Sequence, residues 1–217
     1  SFWIRFSIFN LLLVALLGLL MRYKIGFEFP LLDQKSLQHS HSHFAFAGWV
    51  SHTLMTLLIS FLQKYDLKNK IIFKKYNSIL IGNLICSYVM LISFIMQGYG
   101  AISITFSTLS IFVSYWFAYV FFKDCKQIET ESIAVKWFKA ALFFNVISSL
   151  GTFALAFMMA TKNIHQNEYL ASIYYYLHFQ YNGWFFFACM GLLFSFLNLK
   201  PSENIFLKRT FWLFFLS

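Results

Sequence analysis

The sequence predicts an all-α, polytopic transmembrane helical bundle with six full spans and the start of a seventh. Three observations predict it. Apolar residues make up 59% of the chain and charged residues 12%, against ~25% charged in soluble domains. No charged side chain occurs from Tyr76 to Phe122, a run that one span of ~20 residues cannot absorb and two spans joined by a turn can. The apolar runs are continuous, not alternating, which argues against a membrane barrel.

The elements follow in order. Span one is Phe2 to Leu20, closed by Arg22 and Lys24. Span two is His41 to Gln63; its charge-free part runs from Phe44 to Leu62, and Lys64 ends it. Span three, Tyr76 to Gly98, follows Lys74 and Lys75 and stops at Gln97-Gly98-Tyr99-Gly100, where paired glycines relieve a tight turn. Span four is Ala101 to Phe122, before Lys123. Span five is Trp137 to Thr161, before Lys162, and span six is Tyr169 to Leu197, inside a charge-free stretch that reaches Leu199. The seventh begins near Phe206. Short connections imply antiparallel neighbours. No internal repeat or flexible linker stands out, so residues 1–217 read as one domain. The chain starts at Ser1 and stops inside an apolar run at Ser217, so a fragment of a longer chain is expected.

The net charge of +9 does not indicate nucleic acid, because the lysines sit between apolar runs, where orientation signals belong. With the amino terminus in the cytoplasm, 13 of the 17 basic residues fall on the inner side; only Arg22, Lys24, Lys35 and Lys162 fall outside. Cys86, Cys125 and Cys189 are widely spaced and form neither a disulfide framework nor a zinc-ribbon pattern.

Histidines carry the functional signal. His39, His41 and His43 alternate with Ser40 and Ser42 at the head of span two; His52 lies deeper in that span and His178 lies in span six. Polar, metal-competent side chains at membrane depth are costly and mark functional paths, and imidazole is a common metal or haem ligand. His39 and His43 share a helix face, while His41 points nearly the opposite way. Ser40 and Ser42 could set an imidazole tautomer, and Gly48 and Gly82 could admit a close neighbour. The alternative for the triplet is a solvated polar cap. His52 reads as a structural hydrogen bond and His165 as a solvated loop residue. His178 and Tyr181, three apart, are expected to face the bundle interior as a redox or metal site, at a membrane depth shared with the triplet; the alternative is interhelical hydrogen bonding with Gln180 and Asn182.

The stretch Leu37 to Trp49 resembles the second helix of haem–copper oxidase catalytic subunits and their nitric oxide reductase relatives. The phrases Gln97-Gly98-Tyr99, Ile104 to Leu109 and Leu177 to Trp184 resemble a Bacteroidetes group of oxidase-subunit-I-like membrane proteins. The resemblance covers most of the chain in order and topology. It implies location in the bacterial inner membrane, haem as cofactor with an axial ligand among His39, His41 and His43, copper or another metal at His178, and Tyr181 as the proton or electron partner of His178. It also implies oxidoreductase chemistry on a small gas and contact with other respiratory-type subunits. The chain departs from the pattern in carrying His178-x-x-Tyr181 where oxidases have His-x-x-x-Tyr, and Phe179 where they have proline. The competing class is a non-enzymatic transporter or scaffold whose membrane histidines bind metal or relay protons.

Overall fold

The computed structural model describes residues 2–65, 72–126, 132–163, 165–197 and 204–216. Among them every regular element is helical. They are α1 (Phe2–Gly26), α2 (Gln34–His43), α3 (His52–Tyr65), α4 (Ile72–Gln97), α5 (Ala101–Cys125), α6 (Ile133–Thr161), α7 (Gln166–His178), α8 (Phe186–Leu197) and α9 (Asn204–Leu216). A π-helical segment, Phe44–Ser51, joins α2 to α3, and a second, Phe179–Phe185, joins α7 to α8. The described residues therefore form seven continuous rods.

Five of these helices are long and apolar enough to cross a bilayer: Phe2–Gly26, Gln34–Lys64, Lys74–Gln97, Ala101–Cys125 and Ile133–Thr161. Large apolar side chains on α1 and α5 point outward, among them Leu19 at 66% exposure and Phe112 at 54%. Contact with lipid accounts for such faces, since hydrocarbon does not penalise them. The chain is thus consistent with an integral membrane protein of helical type. Six full spans were expected, and five meet the criterion. The α7–α8 rod falls short because Gln180 and Asn182 interrupt its apolar centre.

Local signals explain the boundaries. The second rod starts seven residues before His41, at Gln34, because Asp33 caps it: its carboxylate accepts from the Ser36 backbone N–H at 2.7 Å. The histidine triplet therefore sits inside a formed helix and not at its first turn. The same Ser36 N–H holds the Asp33 carboxyl below its ordinary value. Before that cap, the Lys24 ammonium donates to the carbonyls of Phe29, at 2.6 Å, and Leu32. The expected glycine turn is present: Gly98 adopts φ +59° and the Ser103 hydroxyl donates to its carbonyl at 2.7 Å. Lys162, at φ 55°, ends α6 in the left-handed conformation.

The chain folds as two compact units, Ser1–Phe117 and Ala118–Ser217. In the first, Leu37, Phe44, Met55, Leu58, Tyr76 and Phe94 form the fully buried core contributed by α2, the π-helical segment, α3 and α4. In the second, Trp137 of α6 packs on Phe187 and Phe194 of α8 and on Phe211 of α9, with ring centres 4.9, 5.4 and 5.2 Å apart. The Lys136 ammonium lies 4.2 Å from the Phe211 ring centre, a cation–π contact that also holds α9 to α6. Close approach in this unit depends on glycine: a Cβ on Gly151 would meet the Ser172 carbonyl at 2.6 Å, and one on Gly191 would meet Phe138 at 2.5 Å.

Candidate functional site

In the first unit the helical register sorts the triplet as its spacing requires. His39 and His43 both turn to an aromatic wall made by Phe94 and Tyr99. The His43 ring lies flat on Phe94, with centres 4.4 Å apart and planes 17° apart, and its Nε2 is 3.4 Å from the Tyr99 hydroxyl. The His39 ring meets Tyr99 edge-on at 4.6 Å. Its Nε2 is buried and has no hydrogen-bond partner among the described residues. His41 turns the other way, to α1, where Gly18 leaves room: a Cβ there would sit 3.4 Å from His41 Cε1. The His41 Nδ1 is also buried without a partner among the described residues. Two orphaned imidazole nitrogens thus point in different directions from one helix.

The serines do not orient these rings. Ser40 donates to the Leu91 carbonyl of α4 at 2.7 Å, and Ser42 donates to the His39 carbonyl at 3.1 Å. Their role is helix pairing and local back-bonding.

Just past His43 the helix widens into its π-helical segment, which disturbs the usual carbonyl pairing. Two carbonyls there are met by amides from neighbouring helices: Asn10 of α1 donates to Gly48 O at 2.5 Å, and Asn83 of α4 donates to Ala47 O at 3.0 Å. Tyr88 donates to Asn10 Oδ1 at 2.6 Å and completes the chain. His52 is fully buried beside it, with Nδ1 3.5 Å from Asn83 Nδ2 and its ring against Trp3. The hydrogen bond expected of His52 is thus present at Nδ1, while its Nε2, like that of His39, is buried with no partner among the described residues. Gly48 is covered by the ring of Phe44 in its own helix, since a Cβ there would meet that ring at 2.7 Å; a Cβ on Gly82 would lie an ordinary 3.7 Å from Val113.

In the second unit Gln180 is a buried polar residue of the α7–α8 rod. Its amide donates to Asn145 Oδ1 at 3.0 Å and to Ser148 Oγ at 2.7 Å, both on α6. Interhelical hydrogen bonding is therefore realised here. His178 and Tyr181 are exposed, Tyr181 at 51%, which corrects the expectation that both face the interior. The reason is register: Gln180 occupies the α6-facing position, and its two neighbours fall beside it. His178 instead lines a cavity of about 540 Å³ walled by Phe144, Phe179, Phe186 and Phe187 and shared with Asn182; Tyr181 is not among its walls. Asn182 Nδ2 lies 3.2 Å from His178 Nδ1. A donating Asn182 amide leaves the ring proton to Nε2 and makes Nε2 a donor; a metal-ligating Nε2 instead needs the amide turned, so that its oxygen accepts from Nδ1–H.

Among the described residues no group of three or more His, Cys, Asp or Glu side chains converges on one point. His165 is exposed at the head of α7. The cysteines are free thiols, with Cys86 and Cys125 buried and Cys189 exposed. The amides Asn10, Asn83 and Asn145 and the phenol Tyr88 were not singled out from sequence; their signal was a polar side chain in the middle of an apolar run. No protein-family model, no curated protein and no solved structure matches the chain.

Proposed function

We propose that this chain is a haem-binding integral membrane protein of the kind represented by haem–copper oxidase and nitric oxide reductase subunit I, working in electron transfer or in redox chemistry on a small gas. The observation that carries the reading is the pairing of His39 and His43 on one aromatic wall, with a buried His39 Nε2 that has no partner among the described residues. An imidazole nitrogen free of hydrogen bonds and enclosed by aromatic rings fits an axial haem ligand, whose identity and burial tune the reduction potential. His39 or His43 would hold the iron. Haem, when bound, supplies the one-electron chemistry and the site for a gas.

The chain's own residues do the rest. Phe94 and Tyr99 hold the imidazole rings by aromatic contact. In the second unit, His178 and Asn182 present a hydrogen-bonding pair at an apolar cavity suited to a small neutral ligand. His178 is read as a hydrogen-bond donor to that ligand, or as a copper ligand once the Asn182 amide has turned, with Tyr181 as a proton or electron partner. The α7–α8 rod is read as a sixth span, because Asn145 and Ser148 already satisfy the Gln180 amide that makes it polar. The positive-inside bias supports an amino terminus in the cytoplasm, and the resemblance to oxidase-subunit-I-like proteins supports residence in a bacterial inner membrane. Other respiratory-type subunits would be the partners.

The test is the visible absorption spectrum of the purified chain in detergent. A haem spectrum that persists in His165→Ala and disappears in the His39→Ala, His43→Ala double variant supports the reading. A colourless protein favours a transporter or scaffold.

A further inference from the structure

The two π-helical segments fall on the same words. His43-Phe44-Ala45-Phe46-Ala47-Gly48-Trp49 leads into the first, and His178-Phe179-Gln180-Tyr181-Asn182-Gly183-Trp184 into the second. Aligned without a gap, residues 43–62 and 178–197 are identical at 10 of 20 positions, including Met55 with Met190 and Ser60-Phe61-Leu62 with Ser195-Phe196-Leu197. His178 follows His43 by 135 positions, and Asn145 follows Asn10 by the same interval. Each of these asparagines lies on the helix preceding its motif and bonds its own π-helical segment, Asn10 by donating to the Gly48 carbonyl and Asn145 by accepting from the Gln180 side chain. Both motif glycines are buried. Shared apolar composition does not yield gap-free identity at His, Gly, Trp and Met together with a common hydrogen-bonding partner and a common helix defect. The sequence taken alone read as free of repeats, because outside this window the copies have diverged.

We infer that the chain contains two tandem copies of one membrane module, offset by 135 residues, and that the imidazole heading the π-helical segment is the functional position both retain: His43 in the first copy and His178 in the second. The copies solve one problem differently. In the first, amides from two neighbouring helices cap the Ala47 and Gly48 carbonyls of a segment whose side chains from Phe44 to Val50 are apolar. In the second, Ala45, Phe46 and Ala47 are replaced by Gln180, Tyr181 and Asn182, so the polar groups ride on the segment itself. The second copy thereby gains Asn182, which engages His178 at its cavity. The first retains apolar residues there, leaving His43 to stack on Phe94. Within the triplet, the repeat singles out His43 and makes His39 and His41 additions peculiar to the first copy.

The choice of His43 rests on the haem reading above but moves the ligand from His39, whose Nε2 has no partner among the described residues, to His43, whose Nε2 would leave the Tyr99 hydroxyl to bind iron; the duplication rests on neither, and the experiment separates them. His39→Ala, His41→Ala and His43→Gly are made singly in the full chain and their haem spectra recorded. Loss of the haem spectrum in His43→Gly alone, restored by millimolar imidazole, is expected. Loss in His39→Ala with retention in His43→Gly overturns the assignment and leaves the haem reading standing. In parallel, Asp33→Cys and Glu168→Cys, again 135 residues apart and at the heads of their helices, are probed with a membrane-impermeant maleimide after Cys86, Cys125 and Cys189 are replaced by Ser. Tandem copies require both to label from one side of the membrane. Labelling from opposite sides overturns the duplication whether or not the protein binds haem.

Discussion

Asn10 of α1 donates its side-chain amide to the backbone carbonyl of Gly48 at 2.5 Å, while its Oδ1 accepts from Tyr88. One buried amide thus satisfies a carbonyl in the π-helical segment and a phenol on α4. Removing it strands the buried Gly48 carbonyl and takes the acceptor from the half-buried Tyr88 hydroxyl. Asn10→Ala is expected to destabilise the protein by about 1–3 kcal/mol, the cost of leaving a buried polar group unpaired, and to do so more than Asn77→Ala, because Asn10 is fully buried whereas Asn77 is half-buried. Unfolding in mixed micelles with a denaturing detergent measures this; equal effects would remove the special role given to Asn10.

Packing in the second unit makes a separate prediction. A Cβ on Gly183 would lie 2.5 Å from Phe144 Cβ, and one on Gly191 would lie 2.5 Å from the Phe138 ring, whereas Gly82 has 3.7 Å of clearance. Gly183→Ala and Gly191→Ala should each cost about 1–3 kcal/mol through overpacking. Gly82→Ala should be neutral or slightly stabilising, because alanine favours helix where space allows.

Asp33 supplies a pH dependence. The Ser36 N–H lowers its folded pKa below the ordinary 3.8. A lowered folded pKa means that the charged cap stabilises the helix above pH 3.8 and that this stability is lost as pH falls through the folded value. Asp33→Asn should therefore melt lower than the parent at pH 7, and the difference should vanish in strong acid. A difference that grows on acidification would contradict the cap.

The topology test follows from burial. Cys125 is only 3% exposed, so its slow labelling would say nothing about sidedness. Lys126, next to it, is exposed. Lys126→Cys, with the native cysteines replaced, should resist a membrane-impermeant maleimide in intact cells and react after lysis. Rapid labelling before lysis would invert the proposed orientation.

These sites show what the sequence could and could not reveal. Runs of apolar residues between lysines placed the helices, and the spacing of His39, His41 and His43 was enough to assign opposite faces, because helical periodicity fixes facing whatever the neighbours are. Facing in the second unit was misread: His178 and Tyr181 were expected inside, but Gln180 took the position against α6, and only the partners Asn145 and Ser148 reveal that. The start of the second rod was missed by seven residues because composition changes at His41 while the cap is at Asp33. The π-helical segments were invisible, since nothing in a periodic apolar run announces a single extra residue in a turn. Once located, they exposed the repeat that composition had hidden.

The central claim is tested most directly by the absorption spectrum of the purified chain and of two variants. The account predicts a haem spectrum in the parent protein, its retention in His165→Ala, and its loss when His39 and His43 are both replaced by Ala, with the double variant still helical by circular dichroism. A parent protein without haem, or a folded double variant with full haem occupancy, would contradict it.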